Sequence, residues 1–201
     1  MKSLYAFIVS PYEERYNNKK KVGDAELILN NNIESFQHIS KKAIVVATPA
    51  AFKTPINPGD TVMIHHNIFR RYYGIDGEEK NGSLYFKDNL YFAQMDQVYA
   101  YNDGSSWKAH LDYCFIKPIK NKSAYKAEKE QTNIGILKYG NSFLNELKIN
   151  PGSLVGYTPY GEFEFIIDDE RLYCMKSNDI VIKYEYQGNE VEYNPSWASS
   201  S

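Results

Sequence analysis

The segment Ile56-Asn57-Pro58-Gly59-Asp60 returns as Ile149-Asn150-Pro151-Gly152-Ser153, 93 residues further on. Asn before Pro is driven into an extended conformation, Pro presets φ for the first central position of a β-turn, and Gly accepts the positive φ that a type II turn needs next. A Pro-Gly turn alone is common, so the constraint comes from its surroundings. Each turn feeds a strand, Thr61-Val62-Met63-Ile64 in one case and Leu154-Val155-Gly156-Tyr157 in the other. An apolar run precedes each turn, Ala43-Ile44-Val45-Val46-Ala47 and Ile134-Gly135-Ile136-Leu137. Further out, Phe7-Ile8-Val9-Ser10-Pro11 matches Phe115-Ile116-Lys117-Pro118, and Leu90 to Tyr99 matches Leu172 to Val181. Four elements in one order, twice over, predict two copies of one small β domain.

A chain of 201 residues has room for two domains of ordinary size. Apolar residues make up 43% and charged ones 24%, the balance of an ordinary globular protein, and no apolar run reaches the length of a membrane helix. Met1 to Val9 has the outline of an export signal. Its apolar run is short, however, and it meets Pro11-Tyr12-Glu13-Glu14 without a small-residue cleavage site. It reads as the first strand, which makes a cytoplasmic location the expectation. Cys114 and Cys174 both fall in expected strands of the second copy and read as buried thiols rather than a disulfide. A net charge of -2 supplies no general attraction to nucleic acid or anionic membrane. The 18 tyrosines suit the half-buried faces of sheets.

The copies differ in two places. Residues 13–24 are polar and without period, and inside this region lies the triplet Leu27-Ile28-Leu29, followed by Asn30-Asn31-Asn32. Taken alone, the triplet is slightly better explained as a short strand with a flanking Asn turn; the other reading is an apolar docking motif on a flexible arm. From Phe7 to Ile56 is 49 residues, against 34 from Phe115 to Ile149, so the second copy lacks 49 − 34 = 15 here. A loop is deleted more easily than a core strand. Residues 13–32 are therefore expected to be a mobile loop with Leu27, Ile28 and Leu29 as its docking residues. The second difference follows the turn, with 30 residues between Gly59 and Leu90 against 19 between Gly152 and Leu172. Ile68 to Tyr73 and Ser83 to Phe86 flank a glycine-rich charged tip, so a long hairpin over about 67–89 is expected to project from the first domain. The resulting division is a domain over 1–103, a linker over 104–112, a domain without a mobile loop over 113–186, and a polar tail over 187–201 whose end, Ala198-Ser199-Ser200-Ser201, is expected to fray.

Catalytic patterns are missing. The four histidines are His38, His65, His66 and His110; adjacent His65 and His66 would point to opposite faces of a strand, and no Cys/His pair has ligand spacing, so no metal site is expected. No Gly-rich phosphate loop and no Gly-x-Ser-x-Gly elbow is present. Asp168-Asp169-Glu170 reads as the polar tip of a hairpin. Arg70, Arg71, Tyr72 and Tyr73 mix basic and aromatic groups as single-strand binding surfaces do, but one such patch on an acidic chain is weak evidence for nucleic acid. Neither enzyme activity nor a bound cofactor is expected.

In the order of its parts the chain resembles the GroES co-chaperonin family, duplicated. The matching parts are Phe7 to Pro11, the Leu27-Ile28-Leu29 tripeptide, Ala43 to Ala47, Asn57-Pro58-Gly59-Asp60-Thr61-Val62, the hairpin from Ile68 to Phe86, and the closing segment Leu90 to Tyr101. The second copy matches all but the loop, so the resemblance covers most of residues 4–186. It implies an all-β chain of two tandem GroES-like small β-barrels, the first with a mobile loop and roof hairpin (Arg70, Arg71, Tyr72 and Tyr73 on its first arm), the second degenerate and loopless. It further implies a homo-oligomeric ring, usually of seven subunits, that caps a GroEL-type chaperonin and encloses folding clients. ATP would be bound by the chaperonin, not by this chain. Three departures stand out. Ala25-Glu26 replaces the glycine pair that usually precedes the tripeptide, the hairpin tip differs, and only one copy keeps a loop, unlike plastid tandem co-chaperonins. Such divergence resembles phage-encoded or otherwise atypical members, which would act in the host cytoplasm. The competing expectation is a structural or interaction module that keeps the GroES-like barrel without the chaperonin partner.

Overall fold

The computed structural model describes residues 2–16, 19–22, 25–28, 38–121, 129–159, 161–186, 188 and 190–200. Its two Asn-Pro-Gly turns are built alike. The Asp60 amide donates to the Asn57 carbonyl at 3.1 Å and the Ser153 amide to the Asn150 carbonyl at 2.9 Å, while Asp60 Oδ2 and Ser153 Oγ accept back from the Asn57 and Asn150 amides. Gly59 and Gly152 take φ of 97° and 91°, a region that favours glycine. Each glycine amide then reaches the strand before it, Gly59 to the Val45 carbonyl and Gly152 to the Leu137 carbonyl, both at 2.8 Å. The turn is thus fastened to the sheet, which is why its sequence recurs with its neighbours.

The chain divides into two compact units, Met1–Ser106 and Trp107–Ser201. The first carries strands β1 (Phe7–Pro11), β2 (Lys19–Val22), β3 (Ala25–Ile28), β4 (Lys42–Ala47), β5 (Thr61–Ile64), β6 (Arg71–Tyr73), β7 (Glu79–Asn81), β8 (Tyr85–Lys87), β9 (Leu90–Ala93) and β10 (Val98–Asn102). Six of them hydrogen-bond in the order β10-β5-β4-β1-β9-β8. The second unit carries β11 (Trp107–Ala109), β12 (Tyr113–Lys120), β13 (Glu130–Tyr139), β14 (Leu154–Tyr157), β15 (Phe163–Ile167), β16 (Glu170–Lys176) and β17 (Ile180–Tyr184), with one short helix, α1 (Ser142–Glu146). Its sheet runs β17-β14-β13-β12-β16-β15, the same order strand for strand. The pairings are antiparallel, and among the described residues neither sheet closes into a barrel.

The likeness extends to connections. Asp88 and Asn89 between β8 and β9, and Asp168 and Asp169 between β15 and β16, all have positive φ, the geometry of a two-residue turn matched to strand twist. Short 3-10 turns, Met95–Gln97 and Ser177–Asp179, precede each last strand. Their Gln97 and Asp179 carbonyls accept from the His65 and Thr158 amides, both at 2.9 Å. Alternating residues fill the interiors: Phe7, Val9, Ala43, Val45, Val62 and Ile64 in the first unit, and Cys114, Ile116, Leu137, Val155 and Met175 in the second.

Several expectations change. The 67–89 hairpin is two hairpins, because the tight turn at Asp88-Asn89 folds β8 back on β9, leaving β6 to pair with the nearer β7. Ile68 and Phe69, both fully buried, sit in a 3-10 turn rather than on a projecting arm, since the core takes their side chains. The expected linker contains β11, whose Trp107 is buried and donates its indole N–H to Asp168 Oδ1 at 3.3 Å. Before its end the tail is docked: residues 191–198 lie against the second unit, with Pro195 and Ala198 buried.

Candidate partner-docking site

Between β1 and β4 run 30 residues (12–41), whereas between their counterparts β12 and β13 run nine (121–129). The longer connection leaves and re-enters the first unit at one root. Tyr16 and Ile39 form an antiparallel bridge, both are buried, and the Ser40 amide donates to the Arg15 carbonyl at 3.1 Å. Beyond the root, β2 and β3 pair as a hairpin, so the arm carries regular structure where a loop without period was expected. Leu27 and Ile28 lie in β3, opposite Lys20 and Lys19, while Leu29 is outside the described residues.

The root also holds the β6–β7 hairpin. Arg15 donates from Nε to the Phe69 carbonyl at 2.8 Å and from Nη1 to Asn81 Oδ1 at 2.6 Å, and its guanidinium lies 4.9 Å from the Tyr91 ring centre. Burial is the main reason the Arg15 pKa is lowered. The Tyr16 hydroxyl accepts from the Arg71 amide at 2.9 Å, and the Arg71 guanidinium stacks 4.3 Å over the Tyr16 ring while pairing with Glu79. Arg71 is therefore a brace at the hairpin base. Tyr72 and Tyr73 are exposed on the same strand, Arg70 is exposed just before it, and Ile75 projects fully from the tip. Neither Arg15 nor Tyr16 was marked by sequence reasoning; a charged residue beside Tyr at a loop root has no pattern of its own.

His65 and His66 also stand otherwise than expected. The strand ends at Ile64 and His66 starts a 3-10 turn, so the two rings stack with centres 4.3 Å apart instead of facing opposite ways. His65 Nδ1 accepts from the Asn67 amide at 3.1 Å. Burial, with His65, Lys41 and Arg70 close by, pushes the His66 pKa down to about 4. Among the described residues no three His, Cys, Asp or Glu side chains gather as metal ligands, and no helix is long and apolar enough to cross a membrane. Cys114 and Cys174 are free and buried, and burial pushes the Cys114 thiol up to about 12.

No protein-family model matches this chain, and no curated protein matches it either.

Proposed function

We propose that the chain is a co-chaperonin of the GroES kind that caps a nucleotide-bound chaperonin ring to enclose folding clients. The observation that carries this reading is the rooted 30-residue arm, set into a unit whose sheet order is otherwise that of its partner unit. On this reading each unit is a GroES-like module whose barrel stays open, and Leu27, Ile28 and Leu29 enter an apolar groove of one chaperonin subunit. The β6–β7 hairpin, with Arg70, Tyr72 and Tyr73, serves as the roof, and the protein acts in the cytoplasm without catalysis or a cofactor of its own. ATP belongs to the chaperonin.

Burying one Leu or Ile contributes about 1.5–3 kcal/mol, and ordering the arm offsets part of it, so one arm binds weakly. Several arms on a ring gain roughly 10²- to 10⁴-fold by avidity, yet let go together when the chaperonin grooves change. The test is an ATP-dependent pull-down on a GroEL-type chaperonin. The unaltered chain is retained with ATP; Leu27→Ser combined with Ile28→Ser is lost while its circular dichroism stays unchanged. Retention of the double variant would remove the docking assignment. Failure of the unaltered chain to bind any chaperonin, together with protease resistance across 13–32, would favour the interaction-module reading.

A further inference from the structure

The interiors of the two units differ around one tyrosine. In the first unit Tyr91 is buried, with the Phe69 ring packed edge-on against it at 4.8 Å between centres. Tyr173 holds the matching place in the second unit, since Leu90 to Tyr99 corresponds to Leu172 to Val181. The connection from β14 to β15 has only five residues, 158–162, against twenty, 65–84, from β5 to β8. It holds no counterpart of Ile68-Phe69, the pair that fills the first core. In the second unit a pocket of about 250 Å³ opens beside Tyr173 instead, walled by Tyr157, Glu130, Glu162 and residues 131–133.

A bulge in β13 shapes one wall. Pro118 pairs with Gly135 and Lys120 with Glu130, so residues 131–134 stand opposite Ile119 alone, and the Asn133 side-chain amide ties the bulge to β14 by donating to the Tyr157 carbonyl at 3.2 Å. The Tyr157 and Tyr173 ring centres lie 6.4 Å apart. The Tyr173 hydroxyl donates to Glu130 Oε1 at 2.7 Å, while Arg171 pairs with Glu130 Oε2 at 2.7 Å and Glu164 at 2.6 Å, its guanidinium 4.8 Å from the Tyr173 ring centre. Arg171 is thus fully engaged. Glu162 is not: its Oε2 is buried and has no hydrogen-bond partner among the described residues. Burial, and after it the charges of Glu162 and Glu130, raises the Tyr157 pKa, so both carboxylates stand near that hydroxyl. Three carboxylates, Glu130, Glu162 and Glu164, against one guanidinium leave an excess of two negative charges around the pocket.

A buried carboxylate oxygen without a donor destabilises the chain, and a cation that brings N–H donors removes that penalty. An aromatic face attracts the same cation. We propose that this pocket binds a primary alkylammonium group, with Glu162 Oε2, Glu130 and the Tyr157 hydroxyl accepting its three N–H bonds. Each carboxylate oxygen of Glu130 has lone pairs beyond the one given to Arg171 or Tyr173. A divalent metal fits less well, since Ca²⁺ takes six or more oxygen ligands and Glu130 is already shared with Arg171. Sites for drug-sized ligands run to roughly 300–1,000 Å³, so this smaller one takes a single slender chain rather than a nucleotide. A free polyamine and a lysine side chain on another protein both present that group. The inference does not rest on chaperonin docking.

The test is an NMR titration of the full-length chain, labelled with heavy nitrogen and read at the amides of residues 131–133. The probes are 1,4-diaminobutane and Nα-acetyl-lysine methylamide, with KCl at matched ionic strength and glucose as controls. Saturable shifts are expected with at least one amine and with neither control. Shifts from diaminobutane alone identify a free polyamine as the natural source, and shifts from the lysine derivative identify a protein side chain. No saturation by about 50 mM of either amine, well above a millimolar Kd, would overturn the proposal, as would equal shifts from KCl or shifts from glucose alone. Glu162→Gln keeps the shape of the side chain and removes its charge, and is expected to weaken binding about tenfold or more with circular dichroism unchanged. Glu146→Gln, on exposed α1, should leave binding as it was. Undiminished binding in the first variant, or an equal loss in both, would also overturn the assignment.

Discussion

At single residues, the sheet is least tolerant where two backbones approach. A Cβ on Gly135 would lie 2.4 Å from Ile116 Cγ2 and 2.6 Å from the Lys117 carbonyl oxygen, and the second contact is backbone. Gly135→Ala is therefore expected to cost about 1–3 kcal/mol in urea unfolding. Lys117→Ala removes the ammonium that joins Glu170 to Glu192, leaving Glu170 with Lys138 alone, and is expected to cost about 1–3 kcal/mol, while Glu192→Gln, at an exposed carboxylate, costs under about 1 kcal/mol. His66 makes stability depend on pH. Its folded pKa of about 4 lies below the ordinary value of 6.5, so the unfolded chain binds the proton more readily. The contribution is complete above pH 6.5 and is lost as pH falls toward 4. The urea midpoint should drop between pH 7 and pH 5, and His66→Gln should flatten that drop; an equal drop in both chains would show that other groups cause it.

Among elements, legibility tracked how local the cause was. The Asn-Pro-Gly turns were legible because Pro and Gly fix their own dihedrals and the flanking strands are apolar. The β6–β9 region was not, because Tyr85 to Lys87 pairs as well with one neighbour as with another until the two-residue turn at Asp88-Asn89 selects β9. The stacking of His65 on His66 was equally hidden, since it depends on β5 ending at Ile64 instead of running on through both histidines. The root of the arm gives an element-scale prediction. Arg15→Ala removes the bonds to Phe69 and Asn81, so amide exchange across residues 71–81 should quicken about tenfold or more while the rest of the sheet holds. Exchange rising equally throughout would mean that Arg15 supports the whole core.

For the whole molecule, the duplication was readable because both copies keep one strand order, and the docked tail was not, because its partners are a lysine, an arginine and main-chain groups spread over two strands and a turn. The candidate docking triplet was visible as an apolar island, but the pairing of Ala25–Ile28 with Lys19–Val22 was hidden, because β2 is three lysines and a valine with no alternation to mark it as a strand. Native mass spectrometry bears on the proposed ring: an oligomer is expected, and a strict monomer would end that part of the reading. The docked tail also sets an order of events during synthesis. The first unit has the six paired strands of its own sheet once Asn102 is made, whereas the second still waits for Asn194 after Tyr184 has completed its last strand, ten residues earlier. At roughly 5–20 residues per second that interval lasts about 0.5–2 s, during which the Pro118 carbonyl and the Lys120 amide lack the residues that pair with them.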